Sequence, residues 1–252
     1  MMVALAGHAV QLGFNVVYYT LELGEQYVGK RFDCYFTGYD IDHVNSHRKE
    51  VEETISKLPG RLIVKEYPPK GASITTLKSH IQKLTDMEMK PDFIVIDYVD
   101  YLKPPSKKYV EKKDEIDDVY VATKGLAKEL QIPIVTPSQV NRAGSKDDVI
   151  EGDKAAGSYD KIMVADLCLS LSRKKEDKVE GTGRVHVMKN RYGMDGMTYN
   201  ALVNTNNGHI EISNEIKITQ ISNVPTSVPG VDSIDRALLS KKFFDLQSHK
   251  QS

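Results

Sequence analysis

The sequence has few cysteines and no feature that would direct it to a membrane or to an oxidising compartment. Cys34 and Cys168 are the two cysteines among 252 residues, and their separation matches neither a metal-binding nor a redox motif. We therefore expect reduced, buried thiols in a cytoplasmic protein. The sequence contains no signal peptide and no apolar run long enough to cross a bilayer, so we expect no membrane association.

An excess of charge of one sign is also missing. Lys and Arg together number 34 and Asp and Glu 35, which gives a formal net charge of −1. Because no basic field covers the protein as a whole, any contact with nucleic acid must come from local loops or be multiplied by oligomerisation.

What the sequence does contain is an alternation of β-branched, apolar segments with amphipathic ones. The predicted strands cover residues 15–23, 61–67, 93–97, 132–140, 164–172 and 184–190, followed by a hairpin over 198–213. The predicted helices cover residues 1–13, 25–36, 43–57, 74–87 and 117–130. This order predicts an α/β fold with a mostly parallel central sheet, helices on both faces and antiparallel strands at one edge.

The pattern changes near residue 214, which predicts one domain over residues 1–213. From Asn214 the pattern gives way to a segment with Ser, Pro and Asn, which predicts a linker and C-terminal tail over residues 214–252, with an amphipathic segment at 231–246. Phe243 and Phe244 near the end of the tail suggest a docking peptide for a partner protein. The alternative is that the tail packs back on its own domain.

Three predicted strands end in a polar residue: Glu22, Asp97 and Gln139. The apolar run from Phe93 to Ile96 delivers Asp97 in the manner of a Walker B strand, whose carboxylate holds Mg²⁺ on nucleotide phosphates. The alternative is an Asp that caps the next turn. Ligands of open α/β sheets bind beside the carboxyl ends of the strands, so we expect the three side chains at one site. A base, a metal-holding carboxylate and an amide suit phosphoanhydride hydrolysis.

Five segments resemble the RecA-like motor domain of hexameric replicative DNA helicases, the DnaB family, and above all its T-even phage members. The resemblance covers residues 1 to about 213, in matching order and approximate spacing. Recombinases and clock-type ATPases of the same P-loop NTPase fold lack the combination. The segments are TLELGEQ (20–26), FIVIDYVDYL (93–102), GLAKELQIPIVTPSQVNR (125–142), AAGSYDKIMVADLCLSLSR (155–173) and KNRYGMDG (189–196).

The resemblance implies roles for the strand-end residues toward ATP and Mg²⁺. Glu22 would be the general base that polarises the attacking water, unless it is a solvent-facing residue of a strand-to-helix turn. Asp97 would hold Mg²⁺, directly or through water, and Asp100, where the family varies, would serve the turn. Gln139 would contact the γ-phosphate and relay its state, or else satisfy backbone groups at the strand end.

The resemblance also implies a site shared between subunits. Lys189 and Arg191 alternate on a strand and so point the same way. In the resembled helicases such a pair reaches the neighbour's nucleotide as an arginine finger, and the complete site requires a homo-hexameric ring. The alternative is a pair of exposed cations that protects an edge strand from aggregation.

The segment 141–158 corresponds to the family's central-channel loop, which binds single-stranded DNA. Its candidate phosphate-binding residues are Arg142, Lys146, Lys154, Gly157 and Ser158. A few cations per subunit suffice when six subunits line one channel. The alternative is a solvated, flexible loop, since four acidic residues dilute the positive charge.

One motif of the family is missing. The 252 residues contain no G-x-x-x-x-G-K-[ST], the loop that cradles phosphates with backbone N–H groups and a Lys. The opening residues 1–13 match the helix that follows this loop, so we expect the chain to begin just after it. For this chain alone we expect poor nucleotide affinity and negligible hydrolysis.

The resemblance therefore implies the motor domain of an ATP-dependent helicase that moves 5′ to 3′ on single-stranded DNA and unwinds the replication fork, in the cytoplasm of a bacterium or a phage-infected host. A loader, a primase or a polymerase would be its partners. Two alternatives remain: a RecA-fold ATPase of recombination or regulation without unwinding activity, and a non-enzymatic binding module without a P-loop.

Overall fold

The computed structural model describes residues 1–105, 112–139 and 159–216. The chain divides into two units, residues 1–218 and 219–252, and the described residues all belong to the first. The predicted linker and tail, with the amphipathic segment at 231–246, lie almost wholly outside the described residues. The predicted boundary at residue 213 stays a prediction.

A parallel sheet forms the first half of the fold. Its strand order is β2 (Leu62–Glu66), β1 (Val16–Thr20), β3 (Phe93–Asp97) and β4 (Ile134–Val135). All neighbouring strands are parallel, so their carboxyl ends meet at one edge. Every residue of β1 is buried, because helices cover both faces of the sheet.

Seven α-helices are described, most of them on the faces of this sheet. The ends of some are explained by local chemistry: Ser73 forms a capping box with Thr76 before the helix Ile74–Asp86, and the helix Glu25–Thr37 ends at Gly38, whose φ of 79° favours glycine. The helices are α1 (Met2–Gln11), α2 (Glu25–Thr37), α3 (Arg48–Ser56), α4 (Ile74–Asp86), α5 (Lys112–Leu130), α6 (Tyr159–Val164) and α7 (Lys175–Glu180). Two short 3₁₀ helices, Val44–His47 and Val99–Tyr101, accompany them.

Alternation along the strands divides the core into two layers. One face of the sheet packs on α1 and α2, with Tyr18 and Val95 against Phe32. The other face packs mainly on α4 and α5, with Tyr19 and Ile96 in the same cluster as helix residues. Because side chains alternate, Asp97 lies on the face that carries Tyr18 and Val95.

A separate antiparallel sheet follows, with strands in the order β5 (Leu167–Ser172), β6 (Thr182–Asn190), β7 (Thr198–Val203) and β8 (Ile210–Ile216). Within the described ranges no hydrogen-bonded ladder joins it to the parallel sheet, so the antiparallel strands do not extend that sheet's edge as predicted. Its last hairpin instead contacts α2. Arg31 donates to the carbonyl oxygen of Thr205 at 3.1 Å, and His209 stacks on Tyr35 with ring centroids 4.6 Å apart.

Several predicted boundaries were wrong for local reasons. The strand predicted at 132–140 is confined to Ile134–Val135, because Pro133 and Pro137 have no N–H to donate to a ladder. The strand predicted from residue 164 begins at Leu167, since residues 159–164 form α6. The helix predicted over 43–57 is divided into a 3₁₀ turn and α3, and the helix predicted from residue 117 begins at Lys112.

Gly60 provides a test of how closely the backbone packs beside β1. A Cβ built there would lie 2.3 Å from the carbonyl oxygen of Phe14 and 2.6 Å from that of Val10. We expect Gly60→Ala to lower the free energy of unfolding by about 1–3 kcal/mol, because backbone must move to admit the methyl group. Urea unfolding of the 252-residue chain measures the change.

The matched control is Gly125→Ala in α5, where no atom lies within 4 Å of the added Cβ. That variant should instead raise the free energy of unfolding by about 0.5–1 kcal/mol, because alanine loses less backbone entropy in a helix. Equal effects of the two substitutions would contradict the close approach at Gly60.

Candidate functional site

The carboxyl ends of β1, β3 and β4 are joined by hydrogen bonds. Thr20 is the register partner of Asp97, and the backbone N–H of Leu21 donates to the carbonyl oxygen of Asp97 at 2.8 Å. Beyond β3, the N–H of Val99 donates to Oγ1 of Thr136 at 3.1 Å. The residues that follow the three strands therefore share one edge of the sheet, as the sequence predicted.

Asp97 is half-buried at the last position of β3. Its Oδ2 accepts a hydrogen bond from the hydroxyl of Tyr18, which lies on the same face of β1. Burial, together with the nearby Asp97 carboxylate, raises the pKa of the Tyr18 phenol far above its ordinary value, so the phenol remains a donor. The hydrogen bond from Tyr18 thus holds the Asp97 side chain in place at the sheet edge.

The amino end of α1 faces the same carboxylate. Burial lowers the pKa of the Met1 amino group, and the charge of Asp97 opposes this shift. The two groups are therefore within electrostatic range of each other. The positive end of the α1 dipole lies on the side of the sheet where Asp97 ends β3.

The Asp97 carboxylate fits a metal ion whose other ligands are mostly phosphate oxygens and waters. Among the described residues no group of three His, Cys, Asp or Glu side chains converges on a metal position. Mg²⁺ in nucleotide sites is usually bound through one or two carboxylates, with phosphates and waters completing its octahedron. A single oxygen-donating carboxylate at a strand end is compatible with that arrangement.

Tyr98 connects the other two predicted residues. Nε2 of Gln139 donates to the Tyr98 hydroxyl at 3.1 Å. Burial raises the pKa of the Tyr98 phenol, and a hydrogen bond with Tyr101 and the charge of Glu22 raise it further. Tyr98 is buried and stacks on Tyr101 with centroids 4.5 Å apart. Gln139 thus bonds the phenol, the charge of Glu22 acts on it, and Asp97 precedes Tyr98 in the chain.

Tyr98 was not among the site residues predicted from the sequence. Its position directly after the strand-end Asp97 is the signal that would have found it. The peptide bond that joins Asp97 to Tyr98 is cis.

Glu22 and Gln139 are less buried than Tyr98. Glu22 lies two residues beyond β1 and three before α2, with an exposed side chain. Gln139 is likewise exposed and lies beyond the short β4, not at its end. Both side chains are thus open to solvent at the carboxyl edge of the sheet.

Lys189 and Arg191 lie together at a different place, the end of α6. Nζ of Lys189 donates to the carbonyl oxygens of Ile162 at 2.9 Å and Met163 at 2.8 Å. Nη1 of Arg191 lies 3.0 Å from Oδ1 of Asp166. The two cations share a direction, as predicted, and no described contact brings them to Asp97 of the same chain.

Asp166 forms ion pairs with cations from two parts of the chain. It pairs with Lys124 of α5 as well as with Arg191. The hydrogen bond from Lys124 and the charges of both cations hold the pKa of this carboxyl below its ordinary value. The position of Arg191 is therefore tied to α5 through a shared carboxylate.

Asp100 has a contact that could not be predicted from the sequence. It lies in the 3₁₀ helix Val99–Tyr101, in keeping with the predicted turn role, and also accepts from Nζ of Lys161 at 3.0 and 3.2 Å. Lys161 is only 6% exposed. No sequence signal marks the pair, because its members are 61 residues apart.

The predicted DNA-binding residues Arg142, Lys146, Lys154, Gly157 and Ser158 lie outside the described residues. Of the two cysteines, Cys34 is buried and Cys168 half-buried, and burial raises the pKa of both thiols. Within residues 1–105, 112–139 and 159–216, no helix is both long and apolar enough to cross a membrane.

Comparison with known proteins connects this geometry to a family. The model of the DnaB-like helicase C-terminal domain matches residues 1–205. A DnaB-like replicative helicase of Enterobacteria phage T4 is 25% identical over 243 residues, covering 89% of this chain and 50% of the relative. The chain thus spans about half the length of this curated relative.

Two solved structures share the fold. One is a DnaB-like replicative helicase, described together with its interactions with primase. It has a TM-score of 0.71 and 18% identity over 83% of this chain and 54% of its own. The other, solved as an ATPase domain, has the same score and identity over 83% of this chain and 78% of its own. These neighbours confirm the predicted RecA-like α/β class.

The family match extends over most of the chain and includes both the strand-end cluster around Tyr98 and the Lys189–Arg191 pair. The chain belongs to the DnaB-like helicase C-terminal domain family.

Proposed function

We propose that this chain is the motor domain of a replicative DNA helicase, coupling ATP hydrolysis to 5′ to 3′ movement on single-stranded DNA and to unwinding at the replication fork. The observation that carries the proposal is that Glu22, Asp97 and Gln139 all follow or end strands at one carboxyl edge of a parallel sheet, where Gln139 bonds Tyr98 and the charge of Glu22 acts on the same phenol. A ligand crevice is expected at this edge in open α/β sheets.

Each residue at the edge suits one part of phosphoryl transfer to water. Asp97, held by the Tyr18 hydroxyl, would bind Mg²⁺, which supplies charge neutralisation on the phosphates. Glu22, exposed to solvent, would orient a water and accept its proton. Gln139 would contact the terminal phosphate and exchange that contact with its hydrogen bond to Tyr98.

Lys189 and Arg191 would act on the site of a neighbouring subunit in a six-membered ring. Two features of the single chain support this: both cations project from the end of β6 in one direction, and the Arg191 side chain keeps 46% of its surface exposed. A guanidinium supplied in trans neutralises charge that develops on the transferred phosphoryl group.

The remaining assignments follow from the family match. Single-stranded DNA in the channel would be contacted by Arg142, Lys146, Lys154, Gly157 and Ser158. Six copies of this short basic segment would together supply enough phosphate contacts. A primase, a loader or a polymerase would bind elsewhere, and the tail with Phe243 and Phe244 is one docking candidate. The helicase would act in the cytoplasm of a bacterium or a phage-infected host.

A non-enzymatic binding module is the second candidate, and one observation favours it. The 252 residues contain no G-x-x-x-x-G-K-[ST]. The DNA immediately upstream of the Met1 codon discriminates between the two functions. An in-frame strand followed by that motif supports the motor, and an in-frame stop codon supports the binding module. Activity is to be measured on the product of the complete open reading frame.

Removing the guanidinium of Arg191 tests the cross-subunit site. We expect Arg191→Ala to lower kcat for ATP hydrolysis by about 10³-fold or more, since arginine fingers contribute about 10³–10⁵ to phosphoryl transfer. The dissociation constant for nucleotide should change little, because the phosphates are bound chiefly by the subunit that holds Asp97. Steady-state hydrolysis and equilibrium nucleotide binding measure the two quantities.

Arg184→Ala is the control, because Arg184 lies on β6, the strand that precedes Arg191, and pairs with Asp177 of α7. It should keep both quantities near their starting values. Loss of hydrolysis and of nucleotide binding together in Arg191→Ala would instead indicate a folding defect and would count against a catalytic role.

Lys154→Ala tests the DNA segment. We expect weaker binding of single-stranded DNA and a log–log salt dependence that is flatter by up to ~1 for each phosphate interaction removed per subunit. Binding titrations at several salt concentrations measure the slope. Lys78→Ala is the control, because Lys78 pairs with Glu129 between α4 and α5. A slope equal to that of the control would remove Lys154 from the DNA-binding residues.

A further inference from the structure

The ion pair between Asp100 and Lys161 is among the least exposed in the described part of the chain. Nζ of Lys161 lies 3.0 Å from Oδ1 and 3.2 Å from Oδ2 of Asp100, and the Lys161 and Asp100 side chains are 6% and 18% exposed. The ammonium group also lies 5.0 Å from the ring centroid of Tyr120. A buried lysine needs such partners, because an unpaired charge in the interior is strongly unfavourable.

On one side, the pair is attached to the residues that follow Asp97. Asp100 lies three positions beyond Asp97 in the 3₁₀ helix Val99–Tyr101. That turn is fastened to the segment after β4, since the N–H of Val99 donates to Thr136. Asp100 is also close enough to Tyr98 for its charge to act on the phenol. A change in the geometry at Asp97 therefore reaches Asp100 along a short, continuous stretch of backbone.

On the other side, the pair is attached to the two predicted finger cations. Lys161 belongs to α6, and the next two residues, Ile162 and Met163, present their carbonyl oxygens to Lys189. Arg191 donates its backbone N–H to the carbonyl oxygen of Asp166, just beyond α6, at 2.8 Å. The position of α6 thus sets the position of both cations.

We infer that Lys161 is a positioning residue that, through Asp100, fixes α6 and with it Lys189 and Arg191 to the turn behind Asp97 of the same subunit. The inference rests on the proposed function, in which these cations complete the neighbour's site. Displacing Lys161 would leave a buried charge unpaired, so α6 and the turn move as one body. The state of one subunit's own site is thereby transmitted to the cations that it presents to the next.

Amide hydrogen exchange in the 252-residue chain tests the attachment without any activity. Lys161→Met removes the charge and keeps an unbranched side chain, and we expect faster exchange in α6 and around Lys189. Lys161→Arg, which retains a cation, should restore much of the protection. Arg184→Met is the control, because the Arg184–Asp177 pair is similarly shielded yet joins α7 to β6. Exchange in α6 that is equal for Lys161→Met and the control would overturn the inference.

Mixed rings test the direction of the effect. An Arg191→Ala subunit retains its own site but presents no finger, and a Glu22→Gln subunit presents a finger but lacks its base. A mixture of the two should regain hydrolysis at the interfaces where an intact site meets an intact finger. Absence of any recovery would overturn the cross-subunit proposal, and with it this inference.

If the mixed rings regain hydrolysis, Lys161→Met is then introduced into one of the two kinds of subunit at a time. In the finger-presenting Glu22→Gln subunit it should lower the recovered kcat by about tenfold or more, because small displacements of a catalytic group are costly. The same substitution in the Arg191→Ala subunit should have a clearly smaller effect. Asp100→Asn should repeat the asymmetry from the other member of the pair. An equal or reversed effect in either series would refute a positioning role toward the neighbour.

Discussion

The parallel pairing of β1 with β3 is the constraint on which the site depends. It aligns Thr20 with Asp97, so the turns that follow both strands begin at the same edge of the sheet. The pairing is stable because each strand is apolar on both faces and helices cover both layers. Tyr18 then donates to Asp97 across the same face. Without this register, the turn that carries Glu22 would not begin beside Asp97.

Polar contacts carry the connection beyond that edge. Gln139 bonds Tyr98, on which the charge of Glu22 also acts, and Asp100 pairs with Lys161 of α6. The Asp100–Lys161 pair favours a single arrangement, because breaking it leaves a charge unsatisfied in the interior. The residues after Asp97 consequently link the turn that follows β3 to Gln139 and to α6.

Lys189, near the end of β6, and Arg191, just beyond it, are held by contacts with α6 and with Asp166. Lys189 donates to two carbonyl oxygens at the end of α6, where the helix dipole favours positive charge. Arg191 shares Asp166 with Lys124 of α5. A guanidinium held by a carboxylate loses little conformational entropy when it meets a phosphate, and its partly exposed side chain leaves donors for that contact. In a ring, these contacts would make the finger preorganised.

By itself the sequence determined the local elements and the chemistry at their ends. Apolar runs and amphipathic periodicity predicted β2, β3, α2 and α4 closely, whereas the strand predicted over 15–23 ends earlier, at Thr20. The polar residues after the strands, with Lys189 and Arg191, were recognisable as motifs. Only the tertiary structure decided that the antiparallel strands form their own sheet, that Gln139 bonds Tyr98, and that Lys161 pairs with Asp100. The physical reason is that periodicity and capping act between near neighbours. A pair separated by 61 residues leaves no local pattern, and only the packing of α6 against the β3 turn brings it together.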